Sequence, residues 1–191
     1  MGRRAFARHA RRLAASLVIV AAAASGLRAF AAAPAPAVEY AVKAAYLAKF
    51  ALFLEWPDSA FAAPASPVTL CIAGNDPFGD TLNRVAEGER IADRPLEIRR
   101  IATVMRDSGC HIVFVGGSEA QSVAQGLAAV TGEPVLTVTD SARSPNATGM
   151  IQFVVQNGRV RFSVDDQAAA QSRLSISSHM LSLALSVKPR A

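Results

Sequence analysis

Short runs of unbroken apolar sequence limit the fold most. Val68–Ala73 is β-branched and apolar, bounded by Pro67 and Gly74, and His111–Val115 is ended by Gly116-Gly117. Runs this short between turn formers read as strands buried on both faces, the kind a parallel sheet uses. Leu96–Ile101 and Pro134–Thr139 read as two further strands. Helical stretches separate them. In Gly74–Gly79, Asp76 is positioned to cap a helix with Pro77 at its first turn, running about ten residues to Gly88. Ser118 is positioned to cap another, to near Val130. Strands alternating with helices predict an α/β sheet with parallel members.

The pattern then changes. Met150–Val155 and Arg159–Val164 flank Gln156-Asn157-Gly158. Asn-Gly accepts positive φ at little cost, so this segment predicts a β-hairpin. Its second strand alternates Val160, Phe162 and Val164 inward with Arg159, Arg161 and Ser163 outward. Asp165 or Asp166 caps a final helix expected to run through Ala168 to about Val187. Before the first strand, Val38–Glu55 has helical spacing and a broad apolar stripe, as for a helix packed on a sheet. Trp56-Pro57-Asp58 stops it, because the residue before proline resists the α region. The expected fold is a single α/β domain over residues 38–187. Its sheet is mixed and largely parallel, with flanking helices and a C-terminal β-hairpin plus helix.

The formal charge of +5 suggests a nucleic-acid or membrane-surface binder until the charges are located. Arg3, Arg4, Arg8, Arg11, Arg12 and Arg28 lie in the first 33 positions, with no acidic residue among them; from Pro34 onward the net charge is −1. The basic character thus belongs to the leader, and no nucleic-acid partner is expected. That leader has an Arg-rich start, an apolar run at residues 13–27 and Ala29-Phe30-Ala31. These are the three parts of an export signal, with cleavage expected after Ala31. The apolar run is short for a membrane span of about 20 residues. Residues 1–31 therefore read as a signal peptide, and the mature protein is expected in a bacterial periplasm, not embedded in the membrane.

Cys71 and Cys110 are the only cysteines. In an oxidising compartment two cysteines favour one disulfide; two buried thiols acting as small hydrophobes are the other reading. Neither a metal nor a cofactor is expected, because further ligands at suitable spacing are missing. Beyond the leader the histidines are His111, at the start of an apolar strand, and His179, in the turn Ser175–His179. No G-x-S-x-G elbow accompanies them, and no enzymatic activity is expected. Asp165-Asp166 reads as a cap and a dipole-favoured charge. Gly74–Gly79 lies where α/β folds often bind ligands, so Asn75, Asp76 and Phe78, with His179, are candidates to line a small-molecule site. The same turn also reads simply as a helix entry. The densest aromatic group is Tyr46, Phe50, Phe53, Trp56 and Phe61. It either covers the sheet or forms a partner surface or apolar pocket, with Trp56 as an anchor.

Several segments, taken as an ordered set, resemble a known family. Ala44-Ala45-Tyr46-Leu47-Ala48-Lys49-Phe50 with Glu55-Trp56-Pro57 looks like the opening motif of the YfiR/HmsC family of exported bacterial proteins. Leu70–Gly79, Cys110–Val115, Pro134–Asp140, Gly149-Met150-Ile151 with Arg159–Phe162, and Ser175–Ala184 continue the resemblance over about residues 38–187. The resemblance implies a periplasmic repressor. Such proteins bind the periplasmic sensor domain of a membrane-bound diguanylate cyclase and hold the enzyme off; release raises cyclic di-GMP and biofilm formation. It also implies a homodimer and redox sensitivity through disulfides. Cys71 and Cys110 match one cysteine pair, whereas the second pair of some relatives has no counterpart here. The expected partner surface comprises Tyr46, Lys49, Phe50, Phe53, Glu55 and Trp56, with Arg159 and Arg161 next. A periplasmic small-molecule sensor is the alternative.

Overall fold

The computed structural model describes residues 36–190. The Arg-rich leader and the Ala29–Ala31 pattern lie outside the described residues. Helix α1 (Pro36–Phe50) runs into a 3-10 turn at Ala51–Phe53 and a short strand β1 (Leu54–Glu55). A second 3-10 turn, Asp58–Ala60, leads towards β2 (Val68–Gly74). Next come α2 (Asp80–Ala86), β3 (Arg90–Ile91), β4 (Arg94–Ile101), β5 (Ile112–Gly117), α3 (Val123–Ala129) and β6 (Leu136–Asp140). The chain closes with β7 (Ile151–Gln156), β8 (Arg159–Asp165), α4 (Asp166–Gln171), β9 (Ser175–Ile176), α5 (Ser178–Leu183) and β10 (Ser186–Lys188).

The described residues form one α/β domain around an eight-stranded mixed sheet of order β10-β8-β7-β6-β5-β2-β4-β3. The five strands β4, β2, β5, β6 and β7 run parallel. β3 pairs antiparallel with β4, β8 antiparallel with β7, and β10 parallel with β8. A separate pair joins β1 to β9. The hairpin turn has positive φ at both Asn157 and Gly158, as its sequence predicts.

Side chains alternate along the buried strands, so each feeds two cores. Leu70, Ile72, Ile112 and Phe114 join the larger core, which α1, α2 and α5 cover. Cys71, Ala73, Val113 and Val115 join a smaller core beneath α3. Gly126 lets α3 lie close to the sheet, since a Cβ there would stand 2.8 Å from Val115 Cγ1.

Four local expectations are corrected. First, the sequence spacing of Val38, Val42, Ala45 and Leu52 predicts that these face the sheet, but α1 turns a different side to it. Ala44, Leu47, Ala48 and Phe50 are buried, whereas Val38 is 57% and Val42 40% exposed. With apolar residues all round, the helix lets small alanines set the closest approach. Second, Asp76 does not cap α2. Its carboxylate accepts from the N–H groups of Phe78 and Gly79 to close a turn, and the helix starts only after Gly79, at φ 50°. Third, α3 is capped by Ser122 in a reciprocal box with Gln125, not by Ser118. Fourth, the single closing helix is broken into α4, β9, α5 and β10. Asp165 caps α4, but Ser172 ends it and Arg173 enters positive φ at 61°. Serines compete with helical backbone bonds. Ser177 accordingly starts a new helix by accepting from Met180 N–H, and Ile176 pairs with Leu54 instead.

Candidate functional site

Among the described residues an apolar groove of about 710 Å³ lies between α1 and α5, floored by Phe162 of β8. Tyr46, Phe50 and Phe53 line it from one side, Met180 and Leu183 from the other. Its floor is held by aromatic packing. Phe50 stacks on Phe153 at 5.6 Å and meets Phe162 edge-on at 5.2 Å, and Tyr46 meets Phe162 edge-on at 5.7 Å. Phe50 is only 2% exposed, so it is floor rather than rim. The rim is open: Val38 and Val42 project from α1, and Leu183 from α5 is 51% exposed. Lys49 also lines the groove, and its ammonium is paired with Glu89 at 2.6 Å.

The expected partner residues therefore divide. Tyr46, Lys49, Phe50 and Phe53 gather in the groove. Arg159 and Arg161 lie at an adjoining cavity that also touches Val38, Val42 and Tyr46. Both arginines stand on the exposed side of β8, alternating with buried Val160 and Phe162. Glu55 is exposed on β1. Trp56 lies apart, half-buried, its indole N–H donating to the His111 carbonyl at 3.3 Å.

The candidate ligand-lining residues divide as well. Asn75, Asp76 and Phe78 follow β2 at the carboxyl ends of the strands, where two loops meet backbone to backbone. Asn75 N–H donates to Gly117 O at 2.9 Å, and a Cβ on Gly116 would stand 2.0 Å from Asn75 O. The second oxygen of Asp76 accepts from Arg100 Nε at 2.7 Å, and Phe78 is buried edge-on against Phe114 at 4.8 Å. His179 lies on α5 instead, 5.6 Å from the Phe53 ring.

Cys71 and Cys110 form a disulfide with Cα atoms 5.8 Å apart. It joins β2 to the residue preceding His111 at the entry to β5, its neighbour in the sheet. Arg99 Nη2 stands 3.7 Å from each sulfur and donates to Ser108 O.

A buried ionic cluster escaped the sequence reading. Lys43 is 0% exposed, and its ammonium donates to Asp140 Oδ2 at 2.6 Å and Glu39 Oε1 at 2.5 Å. Tyr40 OH donates to the same Asp140 oxygen at 3.0 Å, and the Lys43 ammonium lies 4.7 Å from the Tyr40 ring centroid. The cluster pins α1 to the carboxyl end of β6. Glu39 and Lys43 at i,i+4 spacing were a visible signal; their meeting with Asp140, nearly a hundred residues away, was not.

At the opposite ends of the strands, His111 sits in an aromatic box. Its ring stacks on Phe61 at 4.5 Å and meets Trp56 edge-on at 6.2 Å. The Arg94 guanidinium lies over Phe61, 3.7 Å from the ring centroid. Burial holds the His111 pKa below the ordinary 6.5; the Ala60 carbonyl pulls the other way, and the charges of Arg94 and Arg99 lower it further.

The family profile described as YfiR/HmsC-like matches residues 40–185, and the chain belongs to that family. No curated protein matches the chain. The matched span takes in the disulfide, the His111 box and all of the groove except its edge at Ala37 and Val38.

Proposed function

We propose that the protein is an exported, non-catalytic regulator that acts in the periplasm after its signal at residues 1–31 is removed. It docks on the periplasmic domain of a membrane-bound diguanylate cyclase and lowers cyclic di-GMP output. The observation that carries this reading is the open apolar groove between α1 and α5, in a chain of the YfiR/HmsC-like family. An apolar groove open to solvent is the kind of surface through which proteins commonly associate. The groove has an aromatic floor and aliphatic rims, and few polar groups that could position a substrate. Among the described residues no helix is long and apolar enough to cross a membrane. The membrane-bound element is assigned to the partner.

The test uses rim residues that the fold does not need. Val42→Glu and Leu183→Glu place a charge on positions 40% and 51% exposed. Both variants should melt like the parent and lose binding to the isolated periplasmic domain of the cyclase, with cyclic di-GMP raised in cells. Unchanged binding by both removes the groove from the interface. A homodimer through the same face is the companion expectation, read by sedimentation of the same variants.

The alternative, a small-molecule sensor, draws on the groove volume, which falls within the range of ligand sites. Native mass spectrometry of protein taken from the periplasm decides for it if a bound apolar molecule is lost in Leu183→Glu.

A further inference from the structure

The segment between α1 and β2 folds back as an arm across the amino ends of β2 and β5. Its contacts there, from Trp56, Ala60 and Phe61, converge on His111, whose ring also ties in Thr69 of β2. His111 Nδ1 accepts from the backbone N–H of Thr69 at 3.0 Å, and Nε2 lies 3.1 Å from Ala60 O. An acceptor bond at Nδ1 requires that nitrogen to be unprotonated, so Nε2 carries the hydrogen and donates it to Ala60. One neutral tautomer satisfies both partners. His111 is 7% exposed, and its own carbonyl takes the Trp56 indole N–H and the N–H of Leu136.

We propose that neutral His111 is a pH-sensitive latch holding the Trp56–Phe61 arm on the strand ends, and that protonation releases it. A proton on Nδ1 would set N–H against the Thr69 N–H at 3.0 Å. To separate the two N–H groups the ring must turn, which takes Nε2 from Ala60 O and the ring face from Phe61, the contacts that hold the arm, and leaves the Thr69 donor of β2 stranded in a buried place.

The charged surroundings do not compensate. From β4, Arg94 and Arg99 both act against a second positive charge. From the arm, Glu55 and Asp58 are exposed, and neither bonds the ring. From the turn before β6, Glu133 is engaged by Arg106. Phe61 would attract an imidazolium through its ring face, but the Arg94 guanidinium already lies over that ring. The folded state therefore holds this proton less tightly than the unfolded chain, consistent with the lowered pKa. The latch contributes fully above pH 6.5 and is lost as pH falls through the lower, folded value.

The reporter is built in, because Trp56 is the only tryptophan and lies against the His111 ring. In the mature protein, Trp56 emission is expected to change between about pH 7.5 and about pH 5, with a midpoint below 6.5, while far-UV circular dichroism stays constant. His111→Asn keeps an acceptor for Thr69 and cannot titrate in this range, so it should abolish the transition. His179→Gln, altering the α5 histidine beside Phe53, should preserve it. A transition that survives His111→Asn, or none at all in the parent, overturns the proposal. Should His111→Asn fail to fold, an NMR titration of the parent decides. The Thr69 amide proton must shift with the same midpoint as the His111 ring, and an amide indifferent to pH rejects the latch.

Discussion

Replacing Lys43 by methionine tests whether the ionic cluster holds α1 on the sheet. Methionine keeps the length and most of the volume of lysine but removes the charge. Asp140 is 1% exposed, and without Lys43 its carboxylate retains only the Tyr40 hydroxyl and the Ala142 N–H. A buried charge stripped of its partner costs about 3–5 kcal/mol. For a domain of this size each kcal/mol moves the midpoint by roughly 2–4 °C, so Lys43→Met should melt about 6–20 °C lower. Adding Asp140→Asn removes the stranded charge while keeping an acceptor for Ala142, and should recover more than half of the loss. Glu39, whose side chain is 16% exposed, can turn to water and needs no compensation. Thermal and urea unfolding followed by circular dichroism measure all three proteins. A loss below about 1 kcal/mol in Lys43→Met would show the carboxylate to be solvated. A double variant no more stable than the single one would refute the assignment of the cost to Asp140.

Other perturbations probe separate features. Reducing the Cys71–Cys110 bond, which spans 39 residues, should cost about 4 kcal/mol if the constraint on the unfolded chain dominates; unfolding in matched oxidised and reduced samples measures it, and equal midpoints would contradict that account. Gly116→Ala should destabilise by about 1–3 kcal/mol, because the new Cβ meets Asn75 O at 2.0 Å and backbone must move. Ser122→Ala should cost about 1 kcal/mol through loss of the α3 capping box, without altering partner binding. Arg161→Glu should slow association with the cyclase domain and weaken its salt dependence without a change in melting temperature; stopped-flow binding at two ionic strengths reads this, and an unaltered rate removes the arginines from steering.

Local chemistry carried much of the sheet into view. Val68–Ala73 and His111–Val115 announce buried strands because their ends are marked by proline and glycine. Asn157-Gly158 fixes the hairpin because only residues tolerant of positive φ fit its turn. The orientation of α1 was not legible, since a helix apolar all round offers no preferred side until the sheet is present. The break near Ser172–Ser177 was hidden for a related reason. Its leucines and methionine keep helical spacing, while the backbone is captured by strand pairing with distant Leu54. Of the groove, the aromatic rows of α1 were visible, but the opposing wall of Met180 and Leu183 depends on that same break. The His111 box joins residues from three separated segments, the Trp56–Phe61 arm, β4 and the start of β5, and none of them is unusual alone.

β10 carries a consequence for the order in which the sheet can be assembled. β10 lies parallel to β8, and Leu185 N–H donates to Phe162 O at 2.8 Å. Lys188 pairs with Asp165 at 3.0 Å, and Arg190 grips both oxygens of Asp166. A chain emerging amino end first thus presents the outer edge of β8 before anything is available to cover it. Until residues 186–188 arrive, that edge offers unpaired backbone groups to any passing strand. The interval between the appearance of β8 and the seating of β10 is thus when the nascent protein is most open to pairing with a wrong neighbour.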